Sequence, residues 1–162
     1  MPAIIAEEIE DRLWSEVDKG RIGMLVLAGE RLRAQPISVF GERADGQLWF
    51  FGRQDSELAR VVGEGAEAAF VVQSRDLDLQ GCVRGRLVED RDRIDRYWGA
   101  WMEAAFPEGK DDPQLTLFRL DGREAEVWLT ESDAVHHAWD LTRSGMQGER
   151  PDLGDSRRLD LH

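Results

Sequence analysis

The residue types that most often do chemistry are sparse in this chain and poorly grouped. His136 and His137 are the only adjacent imidazoles, and neighbouring residues on a helix do not face the same way. No Cys or carboxylate stands at ligand spacing from them, so no metal site is expected. The single thiol, Cys82, has Arg84 and Arg86 close in sequence, but a free Cys most often packs as a small apolar residue. Asp76, Asp78 and the carboxylates between Asp90 and Asp95 read as helix caps and solvated charge. Glu108-Gly109-Lys110-Asp111-Asp112 lacks the alternating oxygen ligands and closing Glu of a calcium loop. Neither a glycine-rich nucleotide loop nor a Ser/His/Asp triad can be assembled with any specificity. No catalytic residue can be named.

Composition narrows the classes of partner. The chain has 162 residues, enough for one domain with a tail and a real core. Its 33 Asp and Glu outnumber 21 Lys and Arg, giving a net charge of −12. Nucleic acid and anionic membrane surfaces attract clustered cations, so this balance argues against both. No apolar run is long enough to span a membrane. The opening Met1-Pro2-Ala3-Ile4-Ile5-Ala6-Glu7-Glu8 lacks the basic flank and apolar stretch of a signal peptide. With one cysteine, no intrachain disulfide is possible, and a reducing cytoplasm is the expected location. The six Trp are a high count, and those inside predicted elements, Trp49, Trp98, Trp101 and Trp128, are expected to serve core or interface first.

The elements that must position any site follow from periodicity. Ile5, Ile9, Leu13 and Val17 recur at steps of four, which predicts an amphipathic helix ending near Gly20. Strands are predicted at Ile22–Leu27, Leu32–Val39, Leu48–Phe51, Ala68–Val72 and Gly81–Glu89. A hairpin over Leu115–Leu120 and Glu124–Leu129, turning at Asp121-Gly122, completes the set. Pro36 lacks the N–H that a central ladder needs, so its strand is expected at an edge or bulge, and Gly85 suggests a bulge in mid-strand. Ser56 is an N-cap candidate for a short helix through Leu58, Val61 and Val62, closed by Gly63 or Gly65. Ile94, Tyr97, Trp98, Trp101 and Met102 predict a second amphipathic helix. Tight turns, with helices between strands rather than after each one, indicate a mainly β protein. The expected architecture is a six- to seven-stranded antiparallel barrel with flanking helices, over residues 1–133. Residues 134–162 read as a helix from Ala134 to Leu141, then a polar arm or disordered tail.

Gln35-Pro36-Ile37-Ser38, then Gly46-Gln47-Leu48-Trp49-Phe50-Phe51, then Asp55-Ser56 leading into a helix, form an ordered series. Gly85-Arg86-Leu87-Val88-Glu89-Asp90, Tyr97-Trp98 and Phe106-Pro107-Glu108-Gly109-Lys110-Asp111-Asp112-Pro113 continue it. In order and spacing these segments resemble the general-stress-protein branch of the split-barrel family related to pyridoxamine 5′-phosphate oxidase. The resemblance runs from about Leu13 to Leu129.

The resemblance implies a homodimer with flavin mononucleotide (FMN) in clefts between subunits; related barrels also accept FAD or a deazaflavin. It places the flavin ring against Gln35, Pro36, Ile37, Trp49 and Phe50, and the phosphate at Gly52, Arg53 and Ser56. Trp98 and Trp101 are candidates to reach the partner's site. A helix N-terminus, a hydroxyl and a guanidinium suit a phosphate, and flat apolar side chains suit the ring. Trp49, Phe50 and Phe51 could equally fill the barrel. Two positions depart from the family pattern: Gln35 stands where Arg is frequent, and Leu58 where Lys is frequent. Each lost charge-assisted contact is worth about 1.5–3 kcal/mol; Arg53 and Arg33 are candidates to replace one. The two functions left open are a flavin-dependent oxidoreductase-like protein and a non-enzymatic dimer that has lost the flavin and binds another ligand or a protein. Pyridoxamine phosphate oxidase activity itself is not expected, because the C-terminal part has no cluster of Arg, Lys and His for a substrate phosphate.

Overall fold

In the computed structural model the described residues are 6–20, 22–29, 31–75, 78–129 and 156–161. The chain begins with helix α1 (Ala6–Gly20), which carries Glu7 and Glu8 in its first turn and Lys19 in its last. Each charge complements the helix dipole. Ile9, Leu13, Trp14 and Val17 form its buried stripe. Leu13 reaches Gly81 so closely that a Cβ there would lie 2.6 Å from its Cδ1. The missing side chain lets α1 pack directly against the sheet at Gly81.

Eight strands form one antiparallel sheet: β1 (Ile22–Leu27), β2 (Arg33–Ser38), β3 (Phe40–Glu42), β4 (Gln47–Arg53), β5 (Ala66–Gln73), β6 (Leu79–Glu89), β7 (Leu115–Leu129) and β8 (Ser156–Asp160). Their order is β2-β1-β5-β6-β7-β4-β3, with β8 added to β7. Pro36 therefore lies on an edge strand, as its missing N–H requires. Gly85 sits at a bulge in β6, and a Cβ there would come within 1.9 Å of the Asp121 carbonyl oxygen. The mainly β antiparallel barrel with flanking helices expected from the sequence is observed as a curled half-barrel of eight strands rather than six or seven, with its apolar interior built on Leu25, Phe50, Phe70, Val83, Leu87, Phe118 and Val127.

Three expectations change. Asp121-Gly122 is not a hairpin turn, because Leu115–Leu129 is one continuous strand. Asp121 is paired on both sides, to Gln47 and to Arg86, and the Gly122 N–H donates to the Gly46 carbonyl at 2.9 Å. The dipeptide thus serves close backbone approach rather than reversal; the tight turn lies at Gly46, whose φ is 63°. The helix predicted over Ile94–Met102 is two short ones, α3 (Ile94–Tyr97) and α4 (Ala100–Ala105), separated by extended Trp98 and Gly99. Glycine at that point costs about 1 kcal/mol in a helix, and the break frees Tyr97 to stack on Phe40, with ring centroids 4.6 Å apart. Finally, Ser156–Asp160 forms a strand within the stretch that reads as a polar tail. Its Leu159, followed by Leu161, is buried in the main core. The predicted helix over Ala134–Leu141, including His136 and His137, lies outside the described residues.

Candidate functional site

Strands β2 and β3 end the sheet order, and β2 comes near β4 across the open seam. Short β3 pairs with β4 only from Gln47 to Trp49. Beyond Trp49, the stretch Phe50–Arg53 pairs with β7 alone. Likewise Gln35–Ser38 pairs only with β1. Among the described residues, two strand edges without a strand partner therefore flank one opening. A cavity of about 830 Å³ lies in that opening, within the size range of small-molecule sites.

Its walls follow from local packing. Phe50 is buried and stacks on Phe118 at 5.3 Å. Gly52 lines the cavity beside it, and a Cβ there would come within 2.6 Å of the Phe118 ring. Phe40, Phe51 and Tyr97 form an aromatic wall: Phe40 meets Phe51 edge-on at 6.2 Å, and Trp98 meets Phe51 edge-on from behind at 6.4 Å. The Tyr97 hydroxyl donates to Glu42 on β3. Burial, and then the neighbouring carboxylate, push its phenol up to about 12. Near neutral pH it holds its proton and acts as a fixed strut. Trp101 stands at the rim, 77% exposed.

The charged end lies where β4 runs into helix α2 (Glu57–Val62). Ser56 caps this helix as its sequence predicts, its Oγ accepting the Ala59 N–H at 3.1 Å. The same hydroxyl donates to the Arg53 carbonyl at 2.7 Å. Arg53 donates from Nε and Nη2 to the two oxygens of Asp55, at 3.0 and 3.2 Å. That contact raises the arginine's pKa and lowers the aspartate's. Glu57 lines the cavity and is paired with Arg33 and Arg60.

Of the ten residues named from sequence, eight line this cavity: Gln35, Pro36, Ile37, Phe50, Gly52, Arg53, Ser56 and Trp101. The Trp49 side chain does not: it belongs to the second apolar cluster, with its ring 6.0 Å from that of Tyr97 on α3. It is buried, and the Arg93 and Arg119 guanidiniums sit 4.7 and 5.7 Å from its ring centre. Trp98 supports the wall through Phe51 without lining the cavity. Phe40, Tyr97, Met102 and Glu57 line it without having been named as site residues. The short strand that carries Phe40 left no pattern long enough to read. Gln35 and Leu58 also line it, so both departures from the family pattern bear directly on the site.

The family model described as pyridoxamine 5′-phosphate oxidase like matches residues 8–152. The chain belongs to that family. A general stress family protein from Xanthomonas campestris pv. campestris is 34% identical, with 80% of this chain and 92% of that one covered at a TM-score of 0.73. The general stress FMN/FAD binding protein of Xanthomonas citri is also 34% identical, covering 78% and 92% at a TM-score of 0.72. General stress protein 26 from Jannaschia sp. CCS1 is 25% identical, covering 95% and 98% at 0.71. No curated protein matches. Among the described residues no helix is long and apolar enough to cross a membrane.

Measured against a flavin, this family member fits at one end of its cavity. The aromatic walls and unpaired strand edges suit a planar ring with a polar rim. The end bearing Arg53 and Ser56 does not supply the free positive charge that a phosphate seeks.

Proposed function

We propose that the chain is a flavin-binding, homodimeric protein of oxidoreductase type, with the isoalloxazine ring held in the cavity between β2 and β4. One observation carries this reading: an aromatic-walled space of about 830 Å³ bounded by two unpaired strand edges. The general stress FMN/FAD binding protein of Xanthomonas citri, 34% identical, supports the choice of ligand class. FMN is the form that the family resemblance implies, with FAD or a deazaflavin as the larger and redox-shifted variants. When bound, the flavin supplies the redox chemistry. The chain binds the ring with Pro36, Ile37, Phe50 and Phe51, and excludes water with Phe40 and Tyr97.

The partner copy is expected on the sheet face beside the cavity. There Met24 stands opposite both Pro36 and Val71 in the strand register, and Ile22, Met24 and Val71 are exposed. Apolar side chains grouped on one face mark an association surface. Ile22, Pro36 and Trp101 belong also to the cavity lining, so a second copy seated there would complete its wall. The lone thiol suits a cytoplasmic setting.

The test is a spectrum of freshly purified protein and a titration with FMN and riboflavin, alongside sedimentation equilibrium. Flavin absorbance or binding at micromolar or better, in a dimer, is expected. A saturating titration without binding of either flavin overturns the reading. That outcome favours instead a dimer that has lost its cofactor, a reading supported by neutral Gln35 and Leu58 in the lining.

A further inference from the structure

Resting on the flavin reading above, we infer that this cavity selects its ligand by the ring and a neutral polyol tail, so that a terminal phosphate adds nothing to affinity. The charged end carries the inference. Three guanidiniums stand there, Arg33, Arg53 and Arg60, and each is already engaged by a carboxylate: Arg53 by Asp55, Arg33 and Arg60 by Glu57. Asp112 adds a third negative charge that acts on Arg53. Three positive and three negative groups leave the cluster formally neutral. A phosphate dianion entering it finds the Nε and Nη2 edge of Arg53 already taken by Asp55. Its attraction to the remaining guanidinium N–H groups is offset by repulsion from the Asp55 and Glu57 carboxylates.

Three of the neutral donors are spent in the same way. The Ser56 hydroxyl proton goes to the Arg53 carbonyl. The Ser56 and Ala59 N–H groups donate to the Arg53 carbonyl and the Ser56 Oγ. Gln35 and Leu58, the remaining side chains near this end, carry no charge. A ribityl chain meets these groups differently. Its hydroxyls carry no net charge, so they enter a formally neutral cluster without displacing an ion pair or meeting like-charge repulsion. The preference is thus opposite to that of a site whose cations are unpaired.

Parallel titrations of the full-length protein with riboflavin and with FMN, followed by flavin fluorescence, test this. The two dissociation constants are expected to lie within about tenfold of each other, with little response to salt. FMN tighter than riboflavin by more than about tenfold keeps the flavin reading and overturns this inference. Failure of both flavins to bind overturns the reading and the inference together. The double variant Asp55→Asn, Glu57→Gln frees the guanidiniums at exposed positions and leaves the core untouched. It is expected to tighten FMN by at least about tenfold while riboflavin stays unchanged. An FMN affinity that does not respond to the double variant also overturns the inference.

Discussion

The two ends of the cavity are built on opposite principles. At the ring end the wall is continuous with the interior: Phe50 belongs to the main core and stacks on Phe118, while Phe40, Phe51 and Tyr97 pack on a second apolar cluster around Trp49, Leu115 and Leu117. At the charged end the groups are exposed side chains satisfied by one another, with Arg53 and Asp55 each about half exposed. Shape is therefore enforced at one end, because moving an aromatic ring there opens a void in the core. At the other end, charge is exposed to solvent and screened. The lesson is that affinity for a ring and affinity for its tail are separable properties here.

The largest test of that contrast is Phe50→Ala. It removes a ring buried among core residues and is expected to cost about 3–5 kcal/mol, read as a lower urea midpoint with unchanged slope; a loss below about 1 kcal/mol would show that the ring end is not part of the core. Next comes Gly52→Ala, at the junction between the two ends. The Phe118 ring must shift to admit the new methyl, for an expected loss of about 1–3 kcal/mol in the same assay.

A smaller effect concerns Tyr97, the only tyrosine in the chain, so its phenolate can be titrated by ultraviolet absorbance without overlap. Its midpoint is expected at about 12, and Glu42→Gln should move it down toward the ordinary value near 10. The raised value means that the folded state keeps a proton the unfolded chain gives up. The stability it contributes is full below pH about 10 and falls as pH rises toward 12. A midpoint near 10 in the native protein would show that the strut between α3 and β3 is not formed. The smallest effect is expected from Arg53→Ala, with a thermal midpoint indistinguishable from the parent and riboflavin affinity unchanged. A clear drop in either would show that the charged end does more than close on itself.

Much of the fold was legible because its signals are local. The four-residue spacing of α1, the Ser56 cap, the edge position of Pro36 and the Gly85 bulge each depend on one element and its own backbone. What stayed hidden depends on neighbours distant in sequence. Asp121-Gly122 has the composition of a turn, yet pairing on both sides holds it extended. Arg157 and Arg158 made β8 look like tail, and only its docking on β7 buries Leu159. The same division runs through the site. The family resemblance named eight of the residues that line the cavity, seven of them in the compact segments Gln35–Ile37 and Phe50–Ser56. Sequence could not show that α3 packs over Trp49 while Phe51 stays open to the cavity. Nor could it show that Arg53 is matched by Asp55, and Arg33 by Glu57. Residue types and their order specify which groups are present. Only tertiary packing decides which strand edge is left unpaired and which charge is left to bind anything else.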